Sequence, residues 1–282
     1  MGQEPLSNRS GDERKNLCIM HSVERGEGKP MKKSADRSRL EPQEIQRDRK
    51  RVGLLVPATD TTVEVDLYRN LPHSITLHAA RMPLAGVTVA DEERMLDEGV
   101  PRASEEVASL DPDVVVFACT SAGAQHGPPG DAELAARIGR MVHRPVVTVF
   151  GSVLETLRIV QAKRLLVFTP YTDELNARLQ AALVAGGVPV ESIWGMGLLS
   201  DVEIGRLDPA VLLTRLQQRV GETHPDCVFM SCTNLRAWEM LATAQQKLGT
   251  LVVSSNFLVY RAILRALNLP VPSLERPSWG VA

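Results

Sequence analysis

The chain has 282 residues, is 44% apolar, and carries 32 basic against 34 acidic side chains for a net charge of -2. This balance excludes a disordered tail protein, a collagen-like fibre and a strongly basic nucleic-acid binder. No run approaches the ~18 consecutive apolar residues that a membrane span requires, so no membrane partner is expected. Four cysteines, with no CxxC pair and no secretory leader ahead of them, read as reduced thiols of a cytoplasmic protein rather than a disulfide framework.

Residues 1–51 hold 13 Lys or Arg, 9 Asp or Glu and no Phe, Tyr or Trp. Such a segment cannot bury enough apolar surface to offset its ordering entropy, and it is expected to be a disordered leader. Met31 opens MKKSADRSRL just before the patterned region and is an alternative start of translation, while the nine acidic residues argue against a mitochondrial transit peptide.

From Val52 onward, short apolar runs alternate with longer amphipathic stretches. In chain order the expected strands are VGLLV at Val52, ITLHA at Ile75, VVVFA at Val114, VVTVF at Val146, LLVFT at Leu165, VPVESIW at Val188, CVFMS at Cys227 and LVVSS at Leu251. Continuous apolar runs of this length suit parallel strands buried on both faces. Between them, GDAELAARIGRMV from Gly130 and ELNARLQAALVAGG from Glu174 carry helical spacing, and the second closes on a glycine pair. The expected class is α/β, with mostly parallel four-stranded sheets flanked by helices.

An internal repeat sharpens this expectation. PDVVVFACT at Pro112 matches PDCVFMSCT at Pro225, and PATD at Pro57 matches PYTD at Pro170, both at a spacing of 113 residues. The chain therefore divides into two pseudo-symmetric halves, 52–152 and 153–255, with 256–282 as a C-terminal helix and tail packing back on the first half. Ligands of parallel sheets bind beyond the carboxyl ends of the strands, where the repeat makes Cys119 and Cys232 equivalent. Facing halves would bring these two thiols to one cleft.

Each of these cysteines follows a strand and precedes hydroxyl-bearing residues that typically open a helix, where free backbone N–H groups lower a thiol pKa and bind carboxylates. A thiolate and a thiol across a cleft can act as nucleophile or base and as acid on a small carboxylate. Asp60, Thr61, Thr120, Ser121, Tyr171, Thr233 and Asn234 are the candidate substrate-binding groups, with Thr59 and Thr62 beside them; ordinary helix caps account for part of such a set. Cys227 lies inside a strand and reads as core, and Cys18 lies in the leader. The six histidines form no HxH or HExxH pattern, and no GxGxxG or GxxxxGKS motif is present, so neither a metal nor a nucleotide is expected.

PATDTTVE, FACTSAG, TPYTDELN and SCTNLRA, in that order across residues 52 to about 268, resemble the aspartate/glutamate racemase superfamily and within it the maleate isomerase and arylmalonate decarboxylase group. The resemblance implies two Rossmann-like halves, cofactor-independent chemistry, one cysteine from each half in the cleft, and a homodimer or higher assembly. Decarboxylases of the group keep only the second cysteine, whereas this chain has both. Maleate isomerases commonly show PSSNTT at the first strand end, with the asparagine on a substrate carboxylate, and here Asp60 stands in that place. A later DN pair of the family corresponds to Asp201 and Val202, so its amide is missing too. TDxTxE followed by SCTxLRA also resembles the ectoine-utilisation proteins, whose cyclic amino-acid substrates would offer Asp60 an ammonium partner.

The resemblance implies cis–trans isomerisation of maleate to fumarate through a Cys119 adduct with Cys232 as acid. Alternatives of the same superfamily are racemisation or epimerisation by the two thiols, decarboxylation, and an ectoine-utilisation role. A carboxylate sensor without catalysis, or a redox protein joining Cys119 to Cys232, are the competing classes.

Overall fold

A computed structural model describes residues 49–274 of the chain. The expected leader and the Met31 start lie outside these residues, apart from the last residues of that segment: the first strand already begins at Lys50.

Among the described residues, eight strands form two four-stranded, wholly parallel sheets. The first contains β1 (Lys50–Pro57), β2 (Ile75–Met82), β3 (Val114–Phe117) and β4 (Val146–Thr148), in the order β2-β1-β3-β4. The second contains β5 (Leu165–Thr169), β6 (Ser192–Gly195), β7 (Cys227–Met230) and β8 (Leu251–Ser254), in the order β6-β5-β7-β8. The helices are α1 (Val63–Asn70), α2 (Val89–Arg94), α3 (Val100–Ala108), α4 (Thr120–Ala124), α5 (Gly127–Val142), α6 (Val149–Val160), α7 (Asp173–Ala185), α8 (Asp201–Gly205), α9 (Pro209–Thr223), α10 (Leu241–Leu248) and α11 (Ser255–Ala266). Among the described residues, no helix is long and apolar enough to cross a membrane.

The 113-residue repeat is visible in the hydrogen bonds. Val52 pairs with Val114 across β1 and β3, and Leu165 with Cys227 across β5 and β7. The carboxylate of Asp113 accepts the Arg51 N–H at 2.8 Å, and that of Asp226 accepts the Arg164 N–H at 3.0 Å. Just ahead of the two cysteines, the Ala118 N–H reaches the Leu55 carbonyl at 2.8 Å and the Ser231 N–H the Phe168 carbonyl at 2.9 Å. Equivalent sequence thus produces equivalent strand ends.

Alternation along a strand sends successive side chains to opposite faces. Val52, Leu54, Val56, Val114 and Val116 join the large core shared with the second half, whereas Leu55, Val115 and Phe117 enter a smaller core under α3 and α5. Cys227 is fully buried in the large core.

Two strand ends differ from the sequence pattern. In VVTVF the ladder stops at Thr148, whose hydroxyl accepts the Gly151 N–H at 3.0 Å and caps α6, so Val149 and Phe150 are helical. In VPVESIW the ladder begins only at Ser192, because Pro189 has no N–H to contribute. The glycine pair closing α7 has its reason in geometry: Gly187 has φ +78°, which a side chain would strain. Helix α6 runs across the 152/153 division, and α11 packs against α6 and β4.

Candidate active site

The loops after β1, β3, β5 and β7 converge. Cys119 ends the strand–loop after β3 and caps α4, and Cys232 follows β7; they are 6% and 7% exposed. Each thiol meets a backbone N–H of the turn that follows it, Ala122 for Cys119 and Asn234 for Cys232. Their link is Ser255 at the start of α11, whose Oγ accepts both the Thr120 hydroxyl at 2.9 Å and the Cys232 N–H at 3.1 Å. Tyr171, on the loop after β5, is buried where its hydroxyl feels both thiols and has Ser231 as a neighbour. Cys232 has φ +131°, a backbone conformation that costs a side-chain-bearing residue about 1–3 kcal/mol. Strain held at a strand-end thiol is a mark of a functional position.

Burial pushes both thiols well above the ordinary cysteine range. The Glu92 carboxylate adds to this at Cys119, and Asp201 and Asp60 add to it at Cys232. Burial, followed by the two thiols, raises Tyr171 likewise. In the resting site these groups are therefore protonated.

Asp60 is 1% exposed. Its Oδ1 accepts the N–H groups of Thr62 at 2.8 Å and Val63 at 3.0 Å, which orders the start of α1, while Oδ2 is buried without a hydrogen-bond partner. Burial, with Asp201 nearby, overrides those two bonds and the nearby Thr233 hydroxyl and pushes Asp60 up to about 7. Its repeat equivalent, Asp173, is exposed, so the two halves are alike in backbone but not in site chemistry.

The expected binding groups fall into two sets. Asn234 is consumed by the scaffold: its Oδ1 accepts the Thr61 N–H at 2.9 Å and the Thr62 hydroxyl at 3.1 Å, and its Nδ2 donates to the Asp201 carbonyl at 2.7 Å. Gly205 makes room for this cross-link, since a Cβ there would lie 2.7 Å from Asn234 Oδ1 and from Thr61 Oγ1. The Thr233 hydroxyl donates to the Ala118 carbonyl at 3.4 Å, and Thr120 is held by Ser255. Cys119, Cys232 and Tyr171 lie close enough for each thiol to act on the tyrosine hydroxyl, Asp60 acts on Cys232, and Ser121 touches Cys119 at 3.8 Å between Sγ and Oγ. Asn234→Ala leaves the Asp201 carbonyl and the Thr61 N–H unpaired, so a loss of roughly 2–4 kcal/mol is expected in urea unfolding.

Three contributors escaped sequence reasoning as site groups. Glu92, 1% exposed on α2, accepts hydrogen bonds from Ser121 and Gln125. Asp201, which in the sequence stands only as the neighbour of Val202 where the family amide is absent, accepts the Thr59 hydroxyl at 2.6 Å, and burial raises its pKa. Ser255 joins the two cysteine loops. Acidic residues in TVADEERML look like a solvated helix face, and nothing local marks Glu92 as buried. Val202, beside Asp201, is 41% exposed. None of the ion pairs among the described residues involves Asp60, Glu92 or Asp201. Nor, among those residues, do three His, Cys, Asp or Glu side chains cluster as metal ligands.

Fold and site define a two-unit parallel α/β protein with a strand-end thiol from each unit at one place. The profile of the arylmalonate decarboxylase family matches residues 52–273, and the chain belongs to that family. It is 26% identical over 233 residues to the maleate isomerase of Geobacillus stearothermophilus, covering 78% of this chain and 92% of that one. To the arylmalonate decarboxylase of Bordetella bronchiseptica it is 27% identical over 210 residues, covering 73% and 85%. Among solved structures, a mutant of Nocardia farcinica maleate cis-trans isomerase with a covalently bound succinylcysteine intermediate superposes with a TM-score of 0.72 at 23% identity, over 78% of this chain and 94% of that one. The family and the fold implied by the strand-end motifs are thus those found.

Proposed function

We propose that the chain isomerises maleate to fumarate, with Cys119 and Cys232 as the reacting groups. The observation that carries this reading is the meeting of two buried thiols, one from each half, with Tyr171 beside both. Relatives named maleate isomerase support it, as does the succinylcysteine intermediate recorded for the Nocardia protein.

Cys119 sulfur adds to one alkene carbon as its proton passes to a buried carboxylate of the site, and Cys232 protonates the neighbouring carbon. The former double bond is now single and rotates. Cys232 then takes back its proton as the carbon–sulfur bond breaks, and the Cys119 sulfur regains its own from the same carboxylate, which returns both thiols and gives the trans product. Tyr171 and a protonated Asp60 are the donors available to the carboxylates, with Thr61, Thr120, Ser121, Thr233 and Asn234 shaping the loops that present them. A water-poor site strengthens each such bond. The same reading has the enzyme working in the cytoplasm as a homodimer or higher assembly.

A proton NMR time course with maleate under reducing conditions tests this: fumarate is expected to appear, and unchanged maleate would overturn the reading. One observation favours a second reading. Buried, unpartnered Asp60 Oδ2 would suit an ammonium-bearing amino-acid derivative, on which the two thiols would exchange an α-proton. Loss of the α-proton signal in deuterium oxide would select that reaction.

A further inference from the structure

We propose that Glu92 is the proton acceptor for Cys119, acting through the Ser121 hydroxyl. This rests on the reading of Cys119 as the nucleophile, and it gives Ser121 a role as relay rather than as a substrate contact alone.

Three placements support it. The Ser121 hydroxyl donates to Glu92 Oε1, so its proton already points at the carboxylate, and its lone pairs are left to accept from a thiol. Cys119 Sγ lies 3.8 Å from that oxygen, within reach of a weak S–H donor. Glu92 Oε2 is fixed by Gln125 Nε2 at 2.5 Å, which holds the carboxylate in line. The three groups thus form one directed chain from sulfur to serine to carboxylate.

Glu92 is otherwise without a purpose that its burial would explain. A carboxylate 1% exposed needs a compensating partner, yet no cation pairs with it among the described residues. The titratable groups facing it are Glu93 on its own helix, Asp201 from α8, and Cys119 and Tyr171 across the site. Glu93 is itself engaged with His126 at 3.2 Å. Burial, only partly offset by the Ser121 and Gln125 bonds, pushes Glu92 up to about 7, the range in which a base is half ready at neutral pH.

The step balances. As the sulfur–carbon bond forms, the S–H proton passes to Ser121 Oγ, the Ser121 proton passes to Glu92 Oε1, and the alkene electron pair moves to the neighbouring carbon, which Cys232 protonates. On elimination the pair returns to the alkene, Glu92 gives its proton to Ser121, and Ser121 gives one to sulfur. The arrangement also resolves the resting state: the Glu92 charge opposes a free thiolate, so the thiol ionises only as it attacks.

Glu92→Gln is nearly isosteric, and the buried Gln125 Oε1, which has no hydrogen-bond partner, can accept from the new amide if the Gln125 amide turns. The measurement is the rate of Cys119 alkylation by iodoacetamide against pH, read from the mass of the Cys119 peptide, with folding checked by circular dichroism. It needs no maleate turnover, so it can fail independently of the isomerase reading. In the wild type, the rate is expected to rise through an inflection near pH 7. Glu92→Gln is expected to abolish that inflection and slow Cys119 at pH 8 by about 10²-fold, the scale of a lost general base. Ser121→Ala, which leaves Glu92 in place, is expected to do the same, and Ser121→Thr to restore most of the rate. Faster alkylation in Glu92→Gln would overturn the relay, since Glu92 would then act only as a repelling charge. An unchanged rate and profile in Ser121→Ala would overturn it equally, and that variant decides the matter if Glu92→Gln does not fold.

Discussion

Cys119→Ala and Cys232→Ala are each expected to lower maleate turnover at least about 10³-fold, because each removes a group that forms a bond or carries a proton in the proposed reaction. Both side chains are small and buried, and both thiols are protonated at rest, so removing one sulfur leaves a small void and no orphaned charge. The loss of stability should therefore stay within about 1–2 kcal/mol. The two positions differ in backbone: alanine at position 232 keeps the strain of φ +131°, whereas glycine relieves it. Cys232→Gly is accordingly expected to be inactive and yet at least as stable as Cys232→Ala. Proton NMR with maleate and thermal melts by circular dichroism check the pair of statements. Full turnover in Cys119→Ala would remove the two-thiol mechanism. Arylmalonate decarboxylation by that variant would show that Cys232 alone suffices for the chemistry of the family's decarboxylases.

Asp60→Asn is expected to make maleate binding insensitive to pH and tighter in alkaline solution. At low pH, Asp60 Oδ2 carries a proton and can donate it in a hydrogen bond to a carboxylate; as pH rises through about 7 it becomes an anion facing an anion. KM for maleate should therefore climb above pH 7 in the wild type. One unit above the pKa, roughly a tenth of Asp60 remains protonated, so Asp60→Asn should lower KM at pH 8 by about tenfold. The amide keeps Oδ1 for the Thr62 and Val63 N–H groups and places a permanent donor at Oδ2. A higher KM in this variant, or better use of an ammonium-bearing substrate by the wild type, would instead favour the amino-acid reading.

The same substitution changes stability in a defined direction. Asp60 binds its proton more tightly folded than unfolded, 3.8 becoming about 7, so the folded state holds more protons between those values. Stability therefore falls as pH rises from about 4 to 7 and stays low above. Glu92, pushed up to about 7, and Asp66 and Asp131, each pushed up to about 6, act in the same sense, burial being the main cause in each. The wild type is expected to melt higher at pH 5 than at pH 8. Asp60→Asn should raise the midpoint at pH 8 and leave it nearly unchanged near pH 4.

Much of this organisation was legible along the chain. Apolar runs such as VGLLV and LLVFT mark buried parallel strands because only strands covered on both faces tolerate continuous apolar sequence. The 113-residue repeat places Cys119 and Cys232 at equivalent strand ends, and a repeated backbone needs no tertiary information to be recognised. The boundaries of β4 and β6 were less legible. There, a capping hydroxyl at Thr148 and a missing N–H at Pro189 overrode the apolar pattern.

The amino-acid sequence by itself determined the fold class, the two-fold repetition, the family and the pair of thiols, because periodicity, strand-end placement and repeated motifs are local properties of a chain. Only the tertiary structure decided the chemistry around those thiols. Asn234, which looks like a substrate amide, became a cross-link because residues 173 positions away in sequence claim its oxygen. Glu92, which looks like a solvated helix residue, became a buried carboxylate because Ser121 and Gln125, 29 and 33 residues on, close over it. Asp60 kept one oxygen for its own helix and left the other buried without a hydrogen-bond partner. Burial and long-range partners set the protonation of each of these groups, and neither exists until the two sheets have packed together.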